Sequence, residues 1–124
     1  MARYELTLLA EFSAAHRLRL ADGSHEPLHG HNWRVEVTLA GAKLDAEGML
    51  ADFTVVQPAL DRVVAGMHDT YLNELPAFAA RNPSTEHVAR FICDSLVPAL
   101  SGAVRITRVR VWETSRCAAS FLPE

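Results

Sequence analysis

An α+β fold, a four-stranded antiparallel sheet with two helices on one face, is predicted by three features of the sequence. Two period-two alternations of apolar residues open the chain, two stripes at three- and four-residue spacing occupy its middle, and a further pair of strand-like segments closes it.

Tyr4, Leu6, Leu8, Ala10 and Phe12 alternate with Glu5, Thr7, Leu9 and Glu11, the pattern of a strand buried on one face. Residues 13–28 break that rhythm with a turn at Asp22-Gly23-Ser24 and with Pro27, an excursion that returns at His29. Trp33, Val35, Val37 and Leu39 then mark a second strand ending near Gly41, able to pair antiparallel with the first. Residues 43–52 read as a loop in which Met49-Leu50-Ala51 adds a short strand. The stripe Phe53, Val56, Leu60, Val63, Val64 and Met67 predicts a helix ending around Gly66. Pro58 lacks an N–H and crowds the preceding turn, so regular helix is expected to begin only near Gln57. Residues 68–83 read as a loop with Pro76 and Pro83. Ser84 then caps a second helix, with Glu86 in its first turn and Val88, Phe91, Ile92, Leu96 and Ala99 facing the core. In the strand from Val104 to Trp112 the apolar parity shifts between Ile106 and Val109, which a bulge or burial of both faces in an assembly would explain. Cys117 to Phe121 supplies the last strand. The order β-β-α-α-β-β leaves sheet edges and one sheet face uncovered, to be closed by oligomerisation or left exposed in a monomeric sandwich.

The 124 residues provide for one core, read as a single domain over residues 1–124. Twelve Lys and Arg face 15 Asp and Glu, a net charge of -3 without long runs, which argues against nucleic acid or an anionic membrane as the main partner. Met1 to Glu5 lead straight into strand-like sequence without a basic leader and apolar stretch, so a soluble, cytoplasmic protein is expected. Two cysteines, Cys93 and Cys117, are too few for a disulfide framework and read as small buried hydrophobes.

The most informative local pattern is His29-Gly30-His31 at the start of a strand. Residues at i and i+2 on extended backbone point to the same side, so both imidazoles can face one point, and antiparallel pairing brings His16 beside them. Three imidazoles with an open fourth position suit a divalent metal, zinc above all. His25 and Glu26 lie just upstream, His68 stands beside Asp69, where a carboxylate can orient an imidazole for proton transfer, and His87 is expected to face solvent. Glu113 ends an apolar strand, either as a solvent-facing carboxylate or as a buried one able to accept two parallel donors from a planar heterocycle. Thr85 offers a hydroxyl beside Ser84.

Phe12-Ser13-Ala14-Ala15-His16-Arg17-Leu18, Leu28-His29-Gly30-His31-Asn32-Trp33, Asp52-Phe53, Tyr71-Leu72-Asn73, Asn82-Pro83-Ser84-Thr85-Glu86 and Glu113-Thr114 together resemble the 6-pyruvoyltetrahydropterin synthase family, which includes 6-carboxytetrahydropterin synthase of queuosine biosynthesis. The resemblance implies the tunnelling fold (T-fold), whose subunits form trimeric barrels that commonly stack as hexamers with active sites at subunit interfaces. It implies zinc on His16, His29 and His31, a pterin ring held by Glu113 with Thr85 and Ser84, and 7,8-dihydroneopterin triphosphate as the usual substrate. The chain departs from the family at the reactive positions. His25 stands where the family has its reactive cysteine, and His68-Asp69 inverts the usual Asp-His pair. Glu26, three residues before the first metal histidine, matches a subgroup linked to side-chain cleavage to 6-hydroxymethyldihydropterin. Glu26, His25, His68 and Asp69 are therefore the expected catalytic residues, with His25 either reaching the fourth metal position or carrying a proton. The expected activity is a zinc-dependent pterin side-chain lyase; the alternative is a zinc- and pterin-binding protein without turnover.

Overall fold

The computed structural model describes residues 2–124; Met1 lies outside them. Strands β1 (Tyr4–His16) and β2 (His29–Gly41) pair antiparallel along their whole length, from Tyr4 against Gly41 to His16 against His29. Strand β4 (Arg105–Thr114) pairs with β2, and β5 (Cys117–Phe121) with β4. Helix α1 (Phe53–Ala65) and helix α2 (Thr85–Leu96) join the two halves.

The alternation read from the sequence decides which face is buried. Leu8, Phe12 and Ala14 of β1, Trp33, Val35, Val37 and Leu39 of β2, and Val109 and Val111 of β4 form the inner face. Val56, Leu60 and Val64 of α1 and Val88, Ile92 and Leu96 of α2 pack in the same core. Phe12 stacks parallel to Trp33 with ring centroids 5.8 Å apart, at the end of the core nearest the three histidines. The outer face carries Arg34, Glu36, Arg108, Arg110 and Trp112, and the Trp112 indole N–H donates to Glu36 at 3.1 Å.

The parity shift in β4 is a bulge: Arg108 pairs with Thr38 but Ile106 with Leu39, so Thr107 is the extra residue and Ile106 returns to the core. A bulge within one strand therefore accounts for both parities.

Several expectations are corrected. The sheet has five strands, in the order β3-β1-β2-β4-β5, because Thr70 and Tyr71 form a short strand, β3, parallel to Ala14 and Ala15. The rest of the expected 68–83 loop includes two single 3-10 turns, Leu72–Glu74 and Pro76–Phe78, that bury Leu72 and Phe78. Met49-Leu50-Ala51 forms no strand. Helix α1 starts at Phe53 rather than Gln57, since Asp52 caps it by accepting from the Thr54 N–H at 2.8 Å and the Thr54 hydroxyl at 2.6 Å. Pro58 then removes only the bond to the carbonyl of exposed Thr54, which water can satisfy. In α2 the buried row includes Thr85, Ala89 and Cys93, whereas Ala99 is exposed. Cys117, expected to be buried, is exposed near the β4–β5 turn. His87, expected in solvent, is half-buried and its Nδ1–H donates to the Asn82 carbonyl at 2.7 Å. No helix among the described residues is long and apolar enough to cross a membrane.

Candidate metal centre

Register alone brings the histidines together. His16 continues the buried parity of Phe12 and Ala14, His29 and His31 continue that of Trp33 and Val35, and His16 lies directly across from His29. Glu113, two residues beyond Val111, adds a carboxylate on the same face. One ligand atom from each of His16, His29, His31 and Glu113 falls within 4.8 Å of all the others. Trp33 forms the floor, with edge-to-face contacts to His16 at 4.9 Å and His31 at 5.4 Å between ring centroids.

The backbone fixes the orientation of two rings. His16 Nδ1–H donates to the Pro83 carbonyl at 2.8 Å, and His29 Nδ1–H to the Pro27 carbonyl at 2.7 Å. A carbonyl only accepts, so Nδ1 carries the proton and Nε2 of the neutral ring turns a lone pair toward the centre, as in metal-ligating histidines. Glu113 Oε1 lies 2.8 Å from His31 Nε2, 3.1 Å from His16 Nε2 and 3.9 Å from His29 Nε2. His31 Nε2 is buried and has no hydrogen-bond partner despite the short carboxylate distance, the geometry of two ligands converging on a point between them. Burial, and after it the neighbouring rings of His16 and His29, hold the His31 pKa below the ordinary histidine value against the opposing pull of Glu113. Three imidazole nitrogens beside a carboxylate, two of the rings held from behind by carbonyls, are a donor set that fits a divalent cation.

A short ladder positions the residues around this centre. Glu26 N–H donates to the Leu18 carbonyl at 3.0 Å, while the Glu26 carboxylate accepts from Leu18 N–H at 2.9 Å and stands 3.8 Å from His29 Nε2. His25 is exposed, pairs through its backbone with Arg19 and is not in the four-residue cluster. Adjacent residues on extended backbone face opposite ways, which separates these two neighbours. On the other side of the segment, Asn73 accepts from Arg17 N–H and donates to the Arg17 carbonyl, at 3.0 and 2.7 Å. Asn82 does the same for Arg19 at 2.8 and 3.0 Å. Two side-chain amides thus stand in for a neighbouring strand, and Pro83, next to Asn82, supplies the His16 acceptor. Reasoning from sequence missed these roles, although both asparagines lie in the segments that carried the resemblance.

His68 and Asp69 sit elsewhere, at the outer edge of β1. His68 Nδ1 accepts from Ser13 N–H at 3.1 Å and its Nε2 faces the Asp69 carboxylate at 3.4 Å, both side chains being exposed. Asp69 has φ +57°, a left-handed conformation that Asp tolerates, and its N–H donates to the Ser13 carbonyl at 2.7 Å. An open groove of about 480 Å³ beside Asp69 and Thr70 runs over Ser13, Ala15, Gly30 and Asn32, with His31 also in its lining. A smaller groove of about 180 Å³ lies by Glu113, lined by Thr85, Glu86 and Cys117 to Ala119. There Thr85 Oγ1–H donates to Glu113 Oε2 at 3.1 Å, whereas Ser84 Oγ accepts from His87 N–H at 3.2 Å as the helix cap.

The family model of 6-pyruvoyl tetrahydropterin synthase matches residues 5–124. A dihydroneopterin monophosphate aldolase of Pyrococcus furiosus is 32% identical over 104 residues, 84% of each chain. A 6-carboxy-5,6,7,8-tetrahydropterin synthase of Synechocystis sp. is 34% identical over 115 residues, 89% of this chain and 86% of the relative. The 6-pyruvoyl tetrahydropterin synthase structure of Caenorhabditis elegans superposes with a TM-score of 0.87 at 22% identity, covering 100% of this chain and 98% of that one. The sheet and its two helices are thus those of the T-fold.

Proposed function

The chain belongs to the 6-pyruvoyl tetrahydropterin synthase family, and from that premise we propose that it is a zinc-dependent lyase that cleaves the side chain of a 7,8-dihydroneopterin phosphate. His16, His29 and His31 would hold the zinc, which supplies Lewis-acid stabilisation of charge on side-chain oxygens. The observation that carries the reading is Glu26. It presents a carboxylate 3.8 Å from His29 Nε2, while Cys93 is buried in the core and Cys117 lies on β5, so no thiol takes the proton-handling position.

A carboxylate there suits retro-aldol cleavage. Glu26 accepts the proton of a side-chain hydroxyl, the neighbouring carbon–carbon bond breaks, and the released aldehyde keeps the oxygen. The bonding pair passes into the conjugated pterin ring, and the carbon left on the ring takes up a proton. The product is a 6-hydroxymethyl pterin, with no net oxidation or reduction. The smaller groove accepts the ring, its edge N–H groups donating to Glu113 and its flank meeting Thr85, with Ser84 holding the helix start. His68 and Asp69, the latter in the wall of the larger groove, would form a second proton-handling pair, and His25, exposed next to Glu26, would be a further proton carrier.

The reading makes the protein a homo-oligomer in the cytoplasm, trimer or hexamer, with the uncovered edges of β3 and β5 paired between copies. The decisive test incubates zinc-loaded protein with dihydroneopterin mono- and triphosphate and identifies the product by mass spectrometry. A 6-hydroxymethyl pterin is expected. A 6-carboxy or 6-pyruvoyl product would replace the cleavage, and tight pterin binding without turnover would replace the enzyme with a binding protein.

A further inference from the structure

Glu113 stands between two sites that use the same carboxylate. Its Oε1 enters the histidine cluster, and its Oε2 accepts from Thr85 at the wall of the smaller groove. In a tetrahedral shell with metal–ligand bonds of about 2.0–2.1 Å, neighbouring ligand atoms lie about 3.4 Å apart. The distances from Oε1 to the three histidine Nε2 atoms, 2.8, 3.1 and 3.9 Å, bracket that edge length. The positions are those of a fourth ligand, and the Thr85 hydroxyl is its outer support.

We infer that Glu113 is the fourth metal ligand of the substrate-free protein, and that docking of a pterin ring in the Thr85–Cys117 groove draws its carboxylate off the metal. The inference rests on the three-histidine metal reading above and deepens it. A planar heterocycle with two parallel N–H donors competes for Glu113, because a carboxylate accepting both donors turns its oxygens toward the groove. The carboxylate leaves with its charge and no bond to carbon changes. Opening of the metal is thereby tied to recognition of the ring, so a molecule without the pterin N–H edge meets a closed shell. Glu26 stays outside this exchange, its carboxylate held by Leu18 N–H.

The test uses Co2+ as the metal and unsubstituted pterin, a ring with no side-chain oxygens, as the probe. Competition against a chromophoric chelator gives Co2+ affinity, and visible absorption reports the ligand set. Glu113→Gln is expected to weaken Co2+ binding at least about tenfold. Pterin is expected to change the Co2+ spectrum of the unaltered protein but not that of Glu113→Gln. Unchanged affinity and spectrum in Glu113→Gln overturn the inference. His31→Ala separates the two levels: loss of Co2+ there with an unaffected Glu113→Gln leaves the histidine reading standing and removes Glu113, whereas retention in both removes the metal site itself. Circular dichroism checks folding, and Glu113→Asp, one methylene shorter, repeats both measurements if Glu113→Gln does not fold.

Discussion

His16 and His29 of the cluster and His68 at the sheet edge are the same side chain set to opposite tautomers. In the cluster, carbonyls of Pro83 and Pro27 take the Nδ1 protons of His16 and His29, which leaves Nε2 lone pairs converging in a part-buried recess. At the sheet edge a backbone N–H, that of Ser13, occupies Nδ1 of His68, which leaves Nε2 as the protonated nitrogen, 3.4 Å from the exposed Asp69 carboxylate. One arrangement turns lone pairs toward a common centre, the other sets an imidazole beside a carboxylate and ties down an edge strand. The local backbone, not the residue type, decides which chemistry a histidine has.

The comparison breaks most sharply at the ligands. His29→Ala is expected to reduce zinc from about one per chain to a trace, with turnover lost, as read by atomic absorption. His68→Ala should leave the metal untouched, and equal zinc loss in the two variants would erase the distinction. Next in size is Glu26→Gln, expected to lower kcat by about 10²–10⁴ at unchanged zinc content. His68→Ala should cost less, about tenfold in kcat; a loss as large as that of Glu26→Gln would move the proton chemistry to the His68–Asp69 pair. Asn82→Ala removes two bonds to the Arg19 backbone and should cost about 1–3 kcal/mol by denaturant unfolding, without an equal effect on kcat of the folded fraction. The smallest effect is chemical. Burial raises the Cys93 pKa, with the nearby Asp94 carboxylate adding to the shift, so alkylation at neutral pH should label Cys117 alone and Cys93 only after unfolding. Pterin bound in the smaller groove should slow labelling of Cys117.

The convergence of His16, His29 and His31 was legible in the sequence because it needs only strand parity and an antiparallel register. The β4 bulge was legible too, as a parity shift between Ile106 and Val109. What escaped had no period to read. Thr70 and Tyr71 are too few to alternate, and they form a strand only because Ala14 and Ala15 offer an edge. The sequence places the start of α1 late because the penalty of Pro58 is visible in it, whereas the two bonds that Asp52 makes to Thr54 need coordinates to count. For Glu113, sequence located a carboxylate at the end of a strand, but its distance to the histidines depends on the combined register of β1, β2 and β4.

The amide clamps have a consequence for how the protein ages. Each needs the difference between its two ends, an oxygen facing a backbone N–H and an NH2 facing a carbonyl, so conversion to aspartate would set a negative charge against the Arg17 or Arg19 carbonyl. Spontaneous deamidation runs through attack by the backbone nitrogen of the following residue. After Asn73 comes Glu74, whose nitrogen can attack; after Asn82 comes Pro83, whose nitrogen has no hydrogen to lose. The clamp that lies next to the His16 acceptor is therefore the one protected from this decay, and stored protein should lose the Asn73 clamp first.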